Sequence, residues 1–363
     1  MSTFVVTNPM PESNRSAVVT MSKFLRVLKG SRRSITLVGG NVSIEKDIDE
    51  IQIYSVDLHR SRNKILRILS MIWVQIKIAL FLLKNIQEGD EVFFWLADKM
   101  LLPFVAAKAK AATRYYFVYG DLSKTNGDKL LTRASCSIVQ YMANHAEFVC
   151  AESKSVIDSW ESKLNNDVKI IHLYAENIIF SPLECRRNRV GMLTRIAPEK
   201  HIHECIRAFV HFHKSYPDWN LEILGSGKDE ESCRNLIKEL DAEDYISMVG
   251  WVDHVEVKAY AQKWKWFMSA SDHEGVPNGL IEMMGYGIPA IAHPVGGIPD
   301  VLMDHVAGYY LGGTTAMDIE EGLYKAVQTK NYDQLAKAAH ETILEHFSLE
   351  CAQADLRIAL AKR

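Results

Sequence analysis

The second half of this chain is organised around residues 269–299, SASDHEGVPNGLIEMMGYGIPAIAHPVGGIP. The Gly-Val-Pro-Asn-Gly turn at 275–279 opens directly into an apolar helical run that begins at Leu280. We expect a helix to start here with its first amides exposed. Unpaired N–H groups and the positive end of the helix dipole attract an anion. The sequence therefore predicts a phosphate site at this helix start.

Two carboxylates flank the helix start, with seven residues between them. Glu274 lies before the helix and Glu282 inside it, while Gly275 and Gly279 carry no side chain that would hold a ligand away from the backbone. The carboxylates can therefore accept hydroxyl hydrogen bonds on either side of a bound diphosphate. A nucleotide-sugar has this layout of ribose, two phosphates and sugar. The alternative is an ordinary strand–turn–helix with two surface glutamates.

Two basic residues follow the predicted strand Val190–Leu193. Arg195 and Lys200 would lie at the carboxyl edge of a parallel sheet, where such sheets bind their ligands. The rigid donor fork of arginine and the mobile point charge of lysine suit a diphosphate whose negative charge grows as a glycosidic bond breaks. The alternative is a solvated charged loop.

Together these motifs resemble the retaining glycosyltransferases of family 4, also called group 1, which include bacterial cell-surface polysaccharide and lipid-sugar transferases. The resemblance is specific over about Val190 to Leu311 and only architectural before that. It implies the GT-B fold, in which two Rossmann-like α/β domains face each other across a cleft. The motifs that carry it are Glu274-Gly275-Val276-Pro277 with Glu282, Gly287-Ile288-Pro289 and Gly296-Gly297-Ile298-Pro299.

The resemblance also implies roles for single residues. Arg195 and Lys200 match the family's phosphate-binding pair, and Gly225-Ser226-Gly227 matches its turn beside the nucleotide. That turn is no dinucleotide fingerprint, because Glu230 occupies the place of the third glycine. Gly250-Trp251-Val252 would border the nucleobase, with Trp251 alternatively in the core. The implied catalytic residues are Arg195, Lys200, Glu274 and Asp121, and the implied donor-binding residues are Gly225, Gly227, Val252, Gly275, Val276, Pro277, Asn278, Gly279, Leu280 and Glu282.

The first half departs from the family pattern. Residues 8–13, Asn-Pro-Met-Pro-Glu-Ser, replace a Gly-Gly turn, and 175–178, Ala-Glu-Asn-Ile, replace an Asn-Gly-Val-Asp-type segment. Of a His-Asp pair after the fifth strand only Asp121 remains. Asp121 is therefore either a catalytic group or an ordinary loop aspartate, and the acceptor side stays open.

A chain of 363 residues, 48% hydrophobic and 24% charged, suits two globular domains. Apolar strands alternate with helical stretches in both halves, which indicates parallel sheets covered on both faces. We expect an acceptor-binding domain at 1–175, a nucleotide-sugar-binding domain at 188–348 and an interdomain hinge at about 175–189. By resemblance, the amphipathic helix at 349–363 packs back on the first domain.

The spacing of the cysteines and the first residues of the sequence indicate the cellular compartment. The six cysteines are scattered without a CxxC pair, which favours free thiols in a reducing environment. The first residues, MSTFVVTNPMPE, lack a basic segment followed by a long apolar one, so no secretion signal is predicted. We expect a cytoplasmic protein, peripheral on the inner face of the membrane.

The expected membrane contact rests on charge. Residues 1–150 carry 20 Lys and Arg against 13 Asp and Glu, whereas residues 151–363 carry 22 against 32. A helix near 60–86 has an apolar part, Met71–Leu83, that is shorter than the ~20 residues needed to span a bilayer. We therefore predict shallow binding to anionic lipid, the alternative being that this helix only covers the first sheet. The basic clusters are Arg60, Arg62, Lys64 and Arg67, and Lys23, Arg26, Lys29, Arg32 and Arg33.

Neither a metal nor a resident cofactor is predicted. Asp47-Ile48-Asp49 spells a DxD motif, but it lies in an acidic run typical of a solvated loop. The histidines at 201, 203, 211 and 213 have no acidic or cysteine partner at ligand spacing. Nucleic acid is not an expected partner, because the basic clusters lack interleaved aromatic residues.

The sequence thus predicts a metal-independent hexosyltransferase. The family resemblance implies that it moves a sugar from a nucleoside-diphosphate sugar, a UDP-sugar, to a glycan or polyprenyl-linked acceptor with retention, in cell-surface polysaccharide or glycoconjugate synthesis. Two alternatives stay open. One is a nucleotide-sugar epimerase or sugar phosphorylase on the same fold, and the other is a non-catalytic subunit that binds sugar nucleotides.

Overall fold

The computed structural model describes residues 2–10, 15–30, 34–46, 48–58, 63–98, 100–118, 129–160, 164, 168–176 and 178–361. Asp121 and Asp47 lie outside the described residues, as do Arg32, Arg33, Arg60 and Arg62. The chain divides into two compact units. The first comprises Met1–Leu173 with Ala352–Arg363, and the second comprises Tyr174–Cys351.

The first unit is built on a parallel sheet of seven strands among the described residues, in the order β3-β2-β1-β4-β5-β6-β7. The strands are β1 (Thr3–Val6), β2 (Ile35–Gly40), β3 (Ile51–Val56), β4 (Glu91–Phe94), β5 (Thr113–Phe117), β6 (Phe148–Ala151) and β7 (Val168–Ile170). The helices between them are α1 (Arg15–Lys29), α2 (Lys64–Asn85), α3 (Leu101–Ala109), α4 (Lys129–His145) and α5 (Lys154–Trp160).

Helices cover this first sheet on both faces. Successive side chains of a strand point to opposite faces, and β4 shows the consequence. Phe93 meets Phe24 of α1 edge-on at 6.0 Å, whereas its neighbour Phe94 meets Phe104 of α3 at 5.1 Å. Burial on both faces explains why the strand residues form continuous apolar runs.

The second unit is built on a parallel sheet of six strands, in the order β10-β9-β8-β11-β12-β13. The strands are β8 (Arg189–Leu193), β9 (Asn220–Leu224), β10 (Ile246–Gly250), β11 (Trp266–Ser269), β12 (Ala290–Ala292) and β13 (Gly308–Tyr310). The helices are α6 (Ile202–Ser215), α7 (Glu230–Glu239), α8 (His254–Ala261), α9 (Asn278–Gly285), α10 (Ile298–Val301), α11 (Ala316–Val327) and α12 (Tyr332–His346). The predicted α/β class, with a parallel sheet in each half, is confirmed.

Each sheet has one point where the chain order reverses. In the first sheet β1 lies between β2 and β4, and in the second β8 lies between β9 and β11. The loops that leave β1 and β4, or β8 and β11, diverge to opposite faces and open a crevice at the carboxyl ends of the strands. Open α/β sheets bind ligands in such crevices.

The last helix, α13 (Leu349–Ala361), packs on the first unit. Asp355 lies 3.3 Å from the His172 ring, and the Gln353 amide donates to the Arg26 carbonyl at 3.3 Å. The buried side chains of α13 are those of Ala352, Leu356, Ala359 and Leu360.

The segment expected to be an interdomain hinge is instead part of the second unit, which begins at Tyr174. Arg186 explains the order of this segment. Its buried guanidinium donates to the carbonyls of Gly287 at 2.8 Å and Tyr286 at 3.1 Å and to the Tyr332 hydroxyl at 2.6 Å. An always-charged, multiply bonded arginine holds 181–187 against the sheet's helices.

The apolar part of helix α2 is longer than the predicted Met71–Leu83. It runs for 22 residues, with a mean hydropathy of 1.9 over its most apolar window. By length and composition alone, Ile65–Asn85 could cross a membrane. The expectation that the apolar part is too short to span a bilayer was therefore wrong, because the apolar residues begin at Ile65 and Arg67 does not interrupt the helix.

Three of the five residues in one basic cluster, Lys23, Arg26 and Lys29, do not contribute to a free cationic face. The Lys23 side chain is fully buried, between neighbours that are buried too. Arg26 pairs with Glu45 at 3.0 Å, and Lys29 lies 3.6 Å from Glu50. Burial and neutralisation by acidic partners thus remove these three residues from any free basic surface.

Candidate functional site

The crevice between β8 and β11 holds an ion pair. Lys200 ends a short 3₁₀ turn that follows β8, and Glu274 lies in the loop that follows β11. The Lys200 ammonium donates to a Glu274 carboxylate oxygen at 2.5 Å, and the two side chains are only 12% and 15% exposed. They line a pocket together with Leu193, Thr194, Ser271, Pro277 and Gly279. The sequence predicted both residues at this edge, and the structure brings them into contact.

The start of α9 opens into the same pocket. Its N-cap residue is Pro277, whose side chain caps no helical amide. Gly279 allows the helix to approach the end of β8, because a Cβ atom there would lie 2.9 Å from the Leu193 carbonyl oxygen. Asn278 and Leu280 belong to this first turn. The helix start that was predicted to bind an anion thus lies in the same pocket as the Lys200 ammonium.

A glycine pair holds the Glu274 loop in place. Gly296 has φ +56°, and a Cβ atom on it would lie 1.7 Å from the Glu274 carbonyl oxygen. The Gly297 amide donates to the Gly275 carbonyl at 2.7 Å. Only a residue without a side chain fits this approach. The sequence analysis quoted this pair as part of a motif but did not find that it positions Glu274.

The Gly225-Ser226-Gly227 turn also requires glycines because the backbone of another loop lies close to it. Gly225 has φ +132°, and a Cβ atom there would lie 1.8 Å from the Thr194 carbonyl oxygen. At Gly227 the corresponding distance, to the Ile196 carbonyl, is 2.0 Å. The Gly225 amide also donates to the Gly250 carbonyl at 2.7 Å. These glycines lock the loops after β8, β9 and β10 together at one edge of the sheet.

Glu282 lies apart from the pocket lining, in a second polar cluster. It is buried, and one of its oxygens lies 3.1 Å from His254 Nε2. The other ring nitrogen of His254 lies 3.5 Å from Glu176. Burial, reinforced by the charges of Glu282 and Glu176, raises the pKa of the Tyr286 hydroxyl to about 12. The cluster thus holds a carboxylate in a fixed orientation through a histidine.

Sequence reasoning did not find His254 or Glu176 as partners of Glu282. The available signal was that 175–178 departs from the family pattern and introduces a carboxylate. His254 begins α8 in the loop region after β10, next to Gly250-Trp251-Val252. The structure therefore joins that loop to the Glu282 helix.

Several other predicted site residues do not line the pocket that contains Lys200 and Glu274. The Arg195 side chain is 69% exposed and pairs with Glu199 at 2.6 Å, outside the pocket that Lys200 lines. Val276 is buried in the core, and Val252 packs against that core. Trp251 is 45% exposed, so the alternative that it is a core residue is wrong.

The corresponding crevice of the first unit contains Asp98, which the sequence analysis did not single out. The Asn8 side-chain amide, after β1, donates to the Asp98 carboxylate, after β4. The Asn8 backbone amide donates to the Leu96 carbonyl at 3.0 Å, and Leu96 has φ +50°. An acidic residue soon after a buried strand at a topological switch point was the available signal.

No group of three His, Cys, Asp or Glu side chains is arranged to hold a metal ion in the part of the chain that the structure describes.

A family comparison matches the second unit. Residues 176–342 match the model of the glycosyl transferases group 1 family. This segment is similar to group 1 glycosyltransferase domains. It contains Lys200, Glu274, Glu282 and His254, so both polar clusters belong to the matched segment.

Curated relatives match over short segments of their own length. A Haemophilus influenzae protein described as an uncharacterized glycosyltransferase is 40% identical over 79 residues, which cover 22% of each chain. The alpha-monoglucosyldiacylglycerol synthase of Acholeplasma laidlawii is 36% identical over 100 residues, 28% of this chain and 25% of that protein. The matches thus span about a quarter of these relatives.

A solved structure matches over the whole chain. The Anabaena protein Alr3699/HepE, crystallised with UDP and glucose, aligns at a TM-score of 0.80 over 100% of both chains with 14% sequence identity. At this identity the likeness concerns the fold. Together with the two parallel-sheet units, it establishes the GT-B fold for this chain.

Proposed function

We propose that this protein transfers a sugar from a nucleoside-diphosphate sugar, a UDP-sugar, to a glycan or polyprenyl-linked acceptor with retention at the anomeric carbon. One observation carries the proposal. The Lys200–Glu274 pair lies at the carboxyl edge between β8 and β11, beside the start of α9, where the N-cap Pro277 provides no side-chain hydrogen bond. This combination provides a cation and backbone amides for a diphosphate, and a carboxylate for sugar hydroxyls.

Lys200 and the helix start would act on the leaving group. As the glycosidic bond breaks, negative charge grows on the diphosphate, and a fixed ammonium and helix amides stabilise that charge without reorganising. Glu274 already holds Lys200, so part of the side-chain entropy cost of ordering the lysine is met before the donor binds. In this assignment Glu274 also accepts hydrogen bonds from the sugar, and Glu282, fixed by His254, accepts them from the ribose.

The comparisons support the reaction class and suggest the substrates. The matched segment is similar to the domains of a glycosyltransferase family, and the Anabaena structure contains UDP and glucose. The Acholeplasma laidlawii relative is named for a glucosylated diacylglycerol, which favours a lipid-linked acceptor in cell-surface glycoconjugate synthesis. In the first unit, Asp98 joins Asp121 as a candidate for the acceptor side, because Asp98 follows β4 at the switch point of the sheet.

The reaction would need no metal ion, because Lys200 and helix amides take the place of a cation beside the diphosphate. We expect transfer to continue at an unchanged rate in the presence of EDTA. Loss of activity in EDTA and its return with manganese would contradict this part of the proposal.

A product analysis tests the proposed function. Purified protein is incubated with a panel of nucleotide-sugars, with and without glycan and polyprenyl-phosphate-linked acceptors, and the anomeric configuration of the product is read by NMR. We expect a glycoside with the configuration of the donor, formed only with acceptor. An isomerised nucleotide-sugar formed without acceptor would mean epimerisation instead, and a Lys200→Met variant as active as the wild type would refute the site assignment.

A further inference from the structure

Helix α2 exposes an unusually apolar surface. Ile65 is 68% exposed, Trp73 54% and Leu80 58%. Nine large apolar side chains of this one helix are exposed: Ile65, Leu66, Ile68, Leu69, Ile72, Trp73, Ile76, Leu80 and Leu83. Scattered exposed apolar residues are common in soluble proteins, but a contiguous patch marks a contact surface.

Only a narrow stripe of α2 packs on the sheet. Val74, Ile78 and Leu82 are fully buried, at the four-residue spacing of one helix face. Of the most apolar 18-residue window, 17% is buried. The idea that this helix simply covers the first sheet therefore accounts for one stripe and leaves the remaining apolar faces unexplained.

Helix α3 extends the surface. The two helices lie side by side, and the Leu102 backbone amide donates to the Gln75 side chain at 3.2 Å. Leu102 is 41% exposed and Val105 45%. The docking surface, as we define it, consists of the nine exposed apolar side chains of α2 together with Leu102 and Val105.

Helix α2 and the segments that flank it carry charge of one sign. Between Asp57 and Glu88 the sequence contains no acidic residue, while it contains six lysines and arginines. Lys77 lies over the Trp73 ring, 4.9 Å from its centroid, and Lys84 is in the last turn of α2. Basic residues that border apolar ones suit a surface with negative headgroups above hydrocarbon. They do not suit a second copy of the same basic surface, which would repel it.

Spanning the bilayer does not fit this fold. A helix of 22 residues is about 33 Å long, enough to cross the hydrocarbon core. However, α2 connects β3 to β4, and both strands belong to the same sheet. Crossing would place these strands on opposite sides of the membrane and would remove Val74, Ile78 and Leu82 from the core. The helix can lie in the interface while the sheet stays intact.

We propose that the docking surface inserts into the headgroup–acyl boundary of an anionic bilayer, with α2 parallel to the membrane plane. The apolar side chains supply most of the attraction and the flanking lysines and arginines select anionic lipid. This inference does not depend on the proposed sugar transfer, because membrane binding and donor binding are measured separately.

Vesicle binding of the full chain tests the inference. Vesicles of phosphatidylcholine alone, and of phosphatidylcholine with phosphatidylglycerol, are sedimented with the wild type and with a Leu69→Gln, Ile76→Gln, Leu80→Gln variant. We expect preference for the anionic vesicles and about a 100-fold weaker partitioning of the variant, since each substitution removes apolar area that would enter the interface. Salt should weaken wild-type binding without abolishing it, because screening acts only on the charges.

A matched control places the same change on other exposed apolar residues. Val255, Met303 and Met317 in the second unit are 87%, 52% and 77% exposed, and their replacement by glutamine should leave vesicle binding unchanged. All variants should keep the wild-type melting temperature, because none of the six side chains is in the core. Equal loss of binding in the control variant would overturn the inference.

The fluorescence of Trp73 reports how deeply α2 enters the bilayer. Subtracting the fluorescence of a Trp73→Phe variant from that of the wild type isolates Trp73, which should shift to the blue on vesicle binding and be quenched by brominated acyl chains. No binding to either vesicle, or bound protein with Trp73 unquenched, would overturn the proposal. So would a dimer in sedimentation velocity that the triple glutamine variant abolishes, since the surface would then serve a second copy.

Discussion

Replacement of His254 by alanine should weaken nucleoside-diphosphate binding through Glu282, a residue that the change does not touch. The Glu282 side chain is 6% exposed, and its oxygen lies 3.1 Å from His254 Nε2. A hydrogen bond to a charged group contributes about 1.5–3 kcal/mol. If that energy keeps Glu282 oriented toward the ribose, its loss raises Kd by about 10- to 150-fold, at 1.4 kcal/mol for each factor of ten.

Calorimetric titration and thermal unfolding together provide the assay. His254→Gln, which retains a donor, should recover part of the affinity. His305→Ala, a change at a histidine that is 73% exposed in the same unit, should behave as the wild type. A His254→Ala variant whose Kd stays within about twofold of the wild type would refute the reasoning. A lowered melting temperature with unchanged Kd would show that the histidine stabilises the unit without orienting Glu282 for a ligand.

Three further predictions follow from the geometry. In steady-state transfer assays Lys200→Met should lower kcat by about 100- to 1000-fold, whereas Arg195→Met should lower it less than tenfold because Arg195 is exposed and paired outside the pocket; equal losses would contradict this order. Gly225→Ala should lower the melting temperature by more than about 4 °C through strain of 1–3 kcal/mol and a backbone clash, and by more than Gly250→Ala, where φ is +89° but the space is open. Asp98→Asn should slow acceptor-dependent transfer while leaving the calorimetric Kd for the nucleoside diphosphate unchanged; weaker nucleotide binding would place Asp98 on the donor side.

The crevice between β8 and β11 could be predicted because local patterns determine it. Lys200 and Glu274 are 74 residues apart in the chain, yet each follows an apolar strand, and parallel strands bring their carboxyl ends to one edge. The strands Ile51–Val56 and Trp266–Ser269 have the bounds that their apolar runs indicate.

Contacts that depend on side-chain packing could not be predicted in the same way. The His254–Glu282 contact joins the start of α8 to α9, and no periodicity in either segment specifies it. Lys23 belongs to a cluster of basic letters, but its place on the inner face of α1 buries it. The apolar part of α2 was underestimated, because Arg67 interrupts the apolar residues that begin at Ile65 without ending the helix. Secondary structure follows from local sequence, whereas these features follow from the tertiary fold.

The central claim is that the crevice between β8 and β11 binds the diphosphate of a nucleotide-sugar through Lys200. Calorimetric titration of UDP, GDP, ADP and TDP, and of the corresponding nucleosides, into the wild type and Lys200→Met tests it most directly. We predict that at least one nucleoside diphosphate binds the wild type and that its Kd rises at least about tenfold in Lys200→Met, while the parent nucleoside binds both proteins equally. Binding of the diphosphate that is unaffected by Lys200→Met, or no binding of any nucleoside diphosphate to the wild type, would contradict the claim.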